Sequence, residues 1–334
     1  QWLYIDMVAH NISNSGFRKF DLIICPGEGR GERIEEHIRK KWKKILLYVL
    51  AVIFTLLMLG VLYFKKDALP QKPQIALCGE EVPINRPEVK ENLQKAIRAI
   101  KKDYGNSIFS LGDNFLFSFV EEELQKKGLP ADLKYVAIIE SMLDPRAISD
   151  KGAGGLWQFM PRTATEYKLK KDDFIDQRLD PFASTEAALT YLKELNDRFK
   201  NWADALAGYN MNQDEYAKAK FQQKAKDFYQ VVEIPQETQE FVFKIIAAKL
   251  IMENPKEYGY RKVQPYRYTY KNWQIQKVPI NVEGRISVDQ IIENLENRYP
   301  EWKSAEFPNY NSHILQRTLP TGSYYVYVKR DGIS

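Results

Sequence analysis

Residues 45–64 read ILLYVLAVIFTLLMLGVLYF, twenty positions without a charge or a proline. At about 1.5 Å of rise per residue, a helix of that length covers roughly the 30 Å hydrocarbon layer of a bilayer. A stretch so evenly apolar predicts one transmembrane helix, with a buried helix of a soluble core as the weaker alternative. RKKWKK precedes it at 39–44, whereas only Lys65 and Lys66, offset by Asp67, follow. That asymmetry predicts a cytoplasmic N-terminus and an exported chain beyond residue 65. The apolar run is too long for a secretory signal peptide, and no small-x-small cleavage site follows it promptly. Cys78 lies well past the apolar run behind bulky Leu77, which argues against lipidation. Cys25 and Cys78 fall on opposite sides of the expected span, so they are not expected to pair.

The exported part must then find its chemistry in few residue types. The histidines are His10, His37 and His313, leaving none between 38 and 312. Histidine–cysteine zinc sites, Ser-His-Asp triads and Cys-His dyads therefore lack their parts in the middle of the chain. Carboxylates, hydroxyls, amides and lysines remain. A net charge of +5 gives no sign of nucleic-acid binding, which calls for a clustered basic face.

Five regions follow from composition. Residues 1–44 read as a cytoplasmic tail, 45–64 as the membrane helix and 65–87, with its recurring prolines, as a linker. Residues 88–262 read as an α-helical domain. Its segments 88–102, 114–128, 179–199 and 236–254 carry apolar residues at three-to-four spacing, with Asp180 as an N-cap before Pro181. Residues 263–334 alternate like strand, turn helical over SVDQIIENLENRYP, and alternate again over GSYYVYVKR, giving a small α+β appendage. The fold class expected is mainly α, with one N-terminal membrane helix and that appendage.

Within the helical domain, Val136 to Ile139 run straight into Glu140. Leu133, Val136, Ala137 and Leu143 lie at −7, −4, −3 and +3 from it, so Glu140 sits on the apolar stripe of its helix. Burial disfavours a charged carboxylate and raises its pKa, as a general acid near neutrality requires. By position alone, a structural glutamate satisfied by an arginine or by backbone amides is the more frequent outcome. Asp144-Pro145 then stops the helix. Gly152, Gly154 and Gly155 follow, which permit positive φ and close backbone approach. Amide and hydroxyl groups near a half-buried acid suit the N-acetyl and hydroxyl groups of a sugar.

Jointly, ESMLDPRAISDKGAGGLWQFMPRTA resembles the signature of the soluble-lytic-transglycosylase (SLT) domain, glycoside hydrolase family 23. Glu140-Ser141, Pro145, Ala147, Ser149, Gly152-Ala153, Gly155-Leu156, Gln158, Met160-Pro161 and Thr163-Ala164 meet its keyed positions. ALAGYN at 205–210 matches a later element of the family and contributes Tyr209 and Asn210. The resemblance covers roughly residues 76–258. It implies a goose-lysozyme-like helical fold that cleaves the β-1,4 bond between N-acetylmuramic acid and N-acetylglucosamine in peptidoglycan. It further implies Glu140 as acid and then base, with the C6 hydroxyl closing a 1,6-anhydro ring. Ser149 would bond the muramyl residue, and Gln158 and Met160 would line the groove. Tyr209 would orient Glu140 and Asn210 would support the groove. No metal or cofactor is implied, and the expected place is the inner membrane with the catalytic domain in the periplasm. Peptidoglycan strands and the membrane are the expected partners.

One departure stands out. Met211-Asn212 occupies the place of the family's small residue and glycine, and Asn212 is the residue expected to take left-handed angles there. In the appendage, ISVDQIIENLENRYPEW with LQRTLPTGSYYVYV faintly resembles a degenerate LysM repeat, against which stands a plain structural cap. A hydrolytic muramidase and a non-catalytic glycan-binding scaffold remain as alternatives to the transglycosylase.

Overall fold

The computed structural model describes residues 31–65, 75–264, 273–302 and 304–331. Most of the expected cytoplasmic tail, including Cys25, lies outside these residues. The chain divides into two units, one ending at Lys65 and one beginning at Lys66.

Among the described residues, the first unit is one helix, α1 (Gly31–Lys65). Residues 31–44, read from sequence as tail, are therefore helical. Its segment Arg39–Leu59 is long and apolar enough to cross a membrane, and its side chains are exposed. A helix that is apolar on every side needs apolar surroundings.

In the second unit, the part read as linker packs from Ile75 onward. Ile75, Leu77 and Val82 are buried around a two-residue hairpin, β1 (Ala76–Leu77) with β2 (Glu80–Glu81). Lys249 Nζ donates to the Ala76 carbonyl and to Asp132, and Asp132 also accepts from the Cys78 amide. The helical body then follows as α2 (Pro87–Asp103), α3 (Ser107–Gly112), α4 (Phe115–Lys126), α5 (Lys134–Ser141), α6 (Pro161–Glu166), α7 (Pro181–Phe199), α8 (Trp202–Asn210), α9 (Gln213–Gln222) and α10 (Gln236–Glu253).

Helices α8 and α10 are the centre. Trp202 to Gly208 are all buried, and the Glu80 carboxylate accepts from Trp202 N at the helix start. In α10, buried Phe241–Phe243, Ile245–Ala248 and Leu250–Met252 leave no single stripe, because the helix is enclosed by its neighbours. Asp180 caps α7 as the sequence predicts, accepting from Phe182 N and Ala183 N through one oxygen.

The appendage forms as β3 (Trp273–Ser287), α11 (Val288–Arg298), α12 (Phe307–Tyr310) and β4 (Thr318–Asp331). The two strands pair antiparallel, with a register shift between Val282 and Arg285. Ser287 and Gln290 form a reciprocal capping box that starts α11. Strand alternation gives β4 two apolar faces. Val326 and Val328 join Val278, Ile291 and Leu295 in a small core, while Tyr327 joins the core of the helical body.

Candidate active site

Helix α5 places the acid. Leu133 to Ile138 are buried, and Glu140 is half-buried in the last turn. The helix stops without a glycine: Met142 and Leu143 take φ of 55° and 61°. Residues other than glycine pay sterically for that conformation, and such outliers gather at functional sites. The Met142 amide bonds the Ile138 carbonyl (2.9 Å), and the Ser141 hydroxyl donates to the Leu156 carbonyl (2.9 Å). The glutamate's own neighbour in sequence thus pins the end of α5 to the glycine loop.

Burial raises the Glu140 carboxyl to about 8, and the negative charge of Glu237 adds to the rise. Such an acid holds its proton at neutral pH. Glu237 is an exposed residue in the first turn of α10, paired with Lys151 of the loop at 3.1 Å. Tyr104 and Tyr209 are the phenols that feel Glu140. Burial raises both; Asp103 and then Glu140 raise Tyr104 further, and Glu140 raises Tyr209 further. Sequence reading misses Tyr104 and Glu237, since neither belongs to a motif and both reach the site only through the packing of α2 and α10.

The loop after α5 is held by its own backbone and by side chains. Gly154 and Phe159 exchange a pair of backbone bonds at 3.0 Å, and Gly155 N bonds the Ala147 carbonyl at 2.8 Å. Gly152 and Gly155 take positive φ, and Gly154 does not. Ser149 Oγ accepts from Ala153 N, which leaves its proton to give. Gln158, itself at φ 48°, donates to the carbonyls of both Ala147 (3.2 Å) and Gly155 (2.8 Å). Both bonds hold the loop, so its amide oxygen is the group it can offer a ligand. Met160, 44% exposed, stands at the start of α6 beside the loop.

Tyr209 Oη donates to the Trp157 carbonyl at 2.7 Å. Its hydroxyl thereby fixes the loop relative to α8, while its ring stays in the electrostatic neighbourhood of Glu140. Trp157 is fully buried and donates through Nε1 to Thr185 of α7. Asn210 ends α8, half-buried, with no hydrogen bond to the loop among the described residues. Beyond it, the expected left-handed residue is absent: Met211 has φ −103° and Asn212 φ −64°. Asn212 instead caps α9, accepting from Asp214 N and Glu215 N, which is why asparagine serves where glycine was expected.

Below the loop lies a buried ion pair that the motif does not contain. Arg178 and Asp176 are each 2% exposed, with Nη2 to Oδ2 at 2.7 Å. Arg178 Nη1 donates to the carbonyls of Gly152 (2.6 Å) and Phe159 (3.1 Å). Two ends of the loop are therefore drawn onto one guanidinium.

These residues can be set beside known proteins. Residues 117–232 match the family described as Transglycosylase SLT domain. The chain carries an SLT domain. The matched residues take in Glu140, the glycine loop, α7 and α8, while α10 and the appendage fall outside. Membrane-bound lytic murein transglycosylase D of Escherichia coli, in strains K12 and O6:H1, is 34% identical over 194 residues, 56% of this chain. The chain spans 42% of the length of those relatives. A solved structure, an inactive variant of lytic transglycosylase Slt from Pseudomonas aeruginosa, aligns at 19% identity with a TM-score of 0.34. That alignment covers 44% of this chain and 24% of the other.

Proposed function

We propose that this chain is a membrane-anchored peptidoglycan lytic transglycosylase that cleaves the β-1,4 bond between N-acetylmuramic acid and N-acetylglucosamine. The observation that carries the reading is Glu140, held protonated near neutrality by burial at the edge of the SLT loop. Protonated Glu140 gives its proton to the glycosidic oxygen as the bond from C1 breaks. The resulting carboxylate takes the proton of the muramyl C6 hydroxyl as O6 bonds to C1. A 1,6-anhydro ring forms, Glu140 regains its proton, and no water is consumed. Ser149, with its hydroxyl proton free to donate, and the amide oxygen of Gln158 bind the muramyl sugar. Met160 supplies an exposed apolar wall, and Tyr209 and Asn210 shape the far side. The helix through Arg39–Leu59 anchors the chain in the inner membrane, with the cytoplasm on the RKKWKK side and the catalytic unit in the periplasm.

Digesting purified sacculi and weighing the fragments tests the reaction. Fragments lighter by one water than hydrolysis products are expected. Reducing ends of full mass would instead favour a hydrolytic muramidase, in which water replaces the C6 hydroxyl. Phe182 of α7 packs its ring against Tyr310 and Tyr327 of the appendage, which supports reading the appendage as a structural part of the helical body rather than as a LysM-like glycan-binding module.

The rate should also report on Glu237. The acid must be protonated, so activity falls as pH rises through about 8. Glu237→Gln removes a negative charge that holds the Glu140 proton on, so the alkaline limb should move to lower pH with the plateau rate kept. Lys151→Met exposes the Glu237 charge and should move it to higher pH. Limbs that stay fixed in both variants would show that Glu237 has no part in tuning the acid.

A further inference from the structure

Asp180 sits fully buried where the helical body meets the appendage, and its two oxygens do different things. One caps α7. The other accepts from the hydroxyls of Tyr325 (2.7 Å) and Tyr327 (3.1 Å), both on β4 of the appendage. Burial and the Asp180 charge push both phenols up, so they stay protonated and donate. His313 stacks on Tyr325, and burial holds it below its ordinary value. With Nε2 set against the Tyr325 carbonyl at 3.2 Å, its unpartnered Nδ1 lies 4.0 Å from Asp180, so a neutral ring fills the space without competing for the carboxylate.

The segment before Asp180 is stitched to the same unit by its backbone. Asp176 N bonds the His313 carbonyl (2.9 Å), Leu315 N bonds the Phe174 carbonyl (2.8 Å), and Ser312 Oγ donates to the Leu179 carbonyl (2.7 Å). That stitched segment carries Arg178, whose guanidinium holds the Gly152 and Phe159 carbonyls, and whose own carbonyl leaves no room for a Cβ on Gly155. A continuous line of bonds therefore runs from β4 through Asp180 and residues 176–179 to the loop that bears Ser149 and Gln158.

We infer that Tyr325 and Tyr327 are positioning residues for the sugar-binding loop, acting through Asp180 and Arg178, and that the appendage is a working part of the glycan site. This rests on the transglycosylase reading, and its failure is separable from the failure of that reading. The loop supplies ground-state grip on the muramyl sugar, whereas Glu140 is carried by the buried body of α5, Leu133 to Ile138, which meets the loop through the Ser141 bond to Leu156. Loosening the loop should therefore raise KM and spare kcat.

The test is the full chain with Tyr325→Phe, Tyr327→Phe and both together, assayed on a soluble peptidoglycan oligosaccharide and by amide hydrogen exchange. In the double variant KM is expected to rise roughly fivefold with kcat changed less than twofold, and the alkaline limb of the rate to stay in place. Exchange at Ser149, Gly154, Gly155 and Phe159 should quicken roughly tenfold while α2 and α10 keep their protection. Exchange is read whether or not the protein turns over, and the single variants keep the test open if the double variant does not fold. Unchanged KM and unchanged loop exchange would overturn the inference, as would acceleration spread evenly over the whole helical body. Wild type without anhydro products would overturn the transglycosylase reading, and the exchange result would still decide the bond line.

Discussion

Glu140→Gln is expected to lose turnover of sacculi by about a hundred- to ten-thousandfold and, at the same time, to unfold at a higher temperature than wild type. Gln keeps the shape of the side chain but carries no proton to give, so both proton transfers go. The stability gain follows from the carboxyl being raised from 4.5 to about 8 by burial and by Glu237. An acid raised in the folded state weakens the fold above its unfolded pKa, increasingly until the folded pKa is reached. At pH 7 that penalty is about 3 kcal/mol, and the Gln variant escapes it. The gap between the two proteins should widen from pH 4.5 to 8 and vanish near pH 4, as followed by thermal unfolding across that range. Equal activity in both proteins would remove Glu140 from the mechanism. Equal stability at every pH would mean that the carboxyl is not buried as described.

Gly155→Ala is the second large effect. An added Cβ would stand 1.8 Å from the Arg178 carbonyl oxygen, at a φ of +79°. Backbone cannot yield there without moving the segment bound to the appendage. Overpacking together with left-handed strain should cost about 3–5 kcal/mol and displace Gln158 with the loop. Gly152→Ala is the comparison: its φ is +83°, but nothing lies within 4 Å of the new atom. Only the conformational term remains, about 1–2 kcal/mol. Urea unfolding of both variants decides between crowding and mere backbone preference, and equal losses would refute the crowding.

Much of this site could be read before any fold was known, because local chemistry fixes it. The apolar run into Glu140, the glycines of the loop and the Asp180 cap all obey short-range rules. What escaped reading depends on contacts distant in sequence. Arg178 and Asp176 sit in an ordinary polar stretch, and only the approach of the loop reveals them as its support. Met142, Leu143 and Gln158 adopt left-handed angles that no propensity would assign to them; the surrounding bonds impose those angles. Gln158 has a second part that its motif position does not reveal, since its side-chain amide donates to the carbonyls of Ala147 and Gly155 and so holds the loop. Asn212 stands out in the sequence for its backbone tolerance, but it serves the fold through its side chain, which caps α9.

Arg178 also decides how portable this site is. Residues 145–161 look like a cassette in sequence, continuous and self-bonded. Their carbonyls at Gly152 and Phe159 nevertheless rest on a guanidinium 26 and 19 residues downstream, which is itself clasped by Asp176, whose backbone amide bonds His313 of the appendage. Transplanted alone into another scaffold, the loop would arrive without its keystone: the Gly152 carbonyl would lose its donor, and that of Phe159 would keep Gly154 alone. The smallest transferable piece is the loop together with residues 174–180 and the surface that holds them.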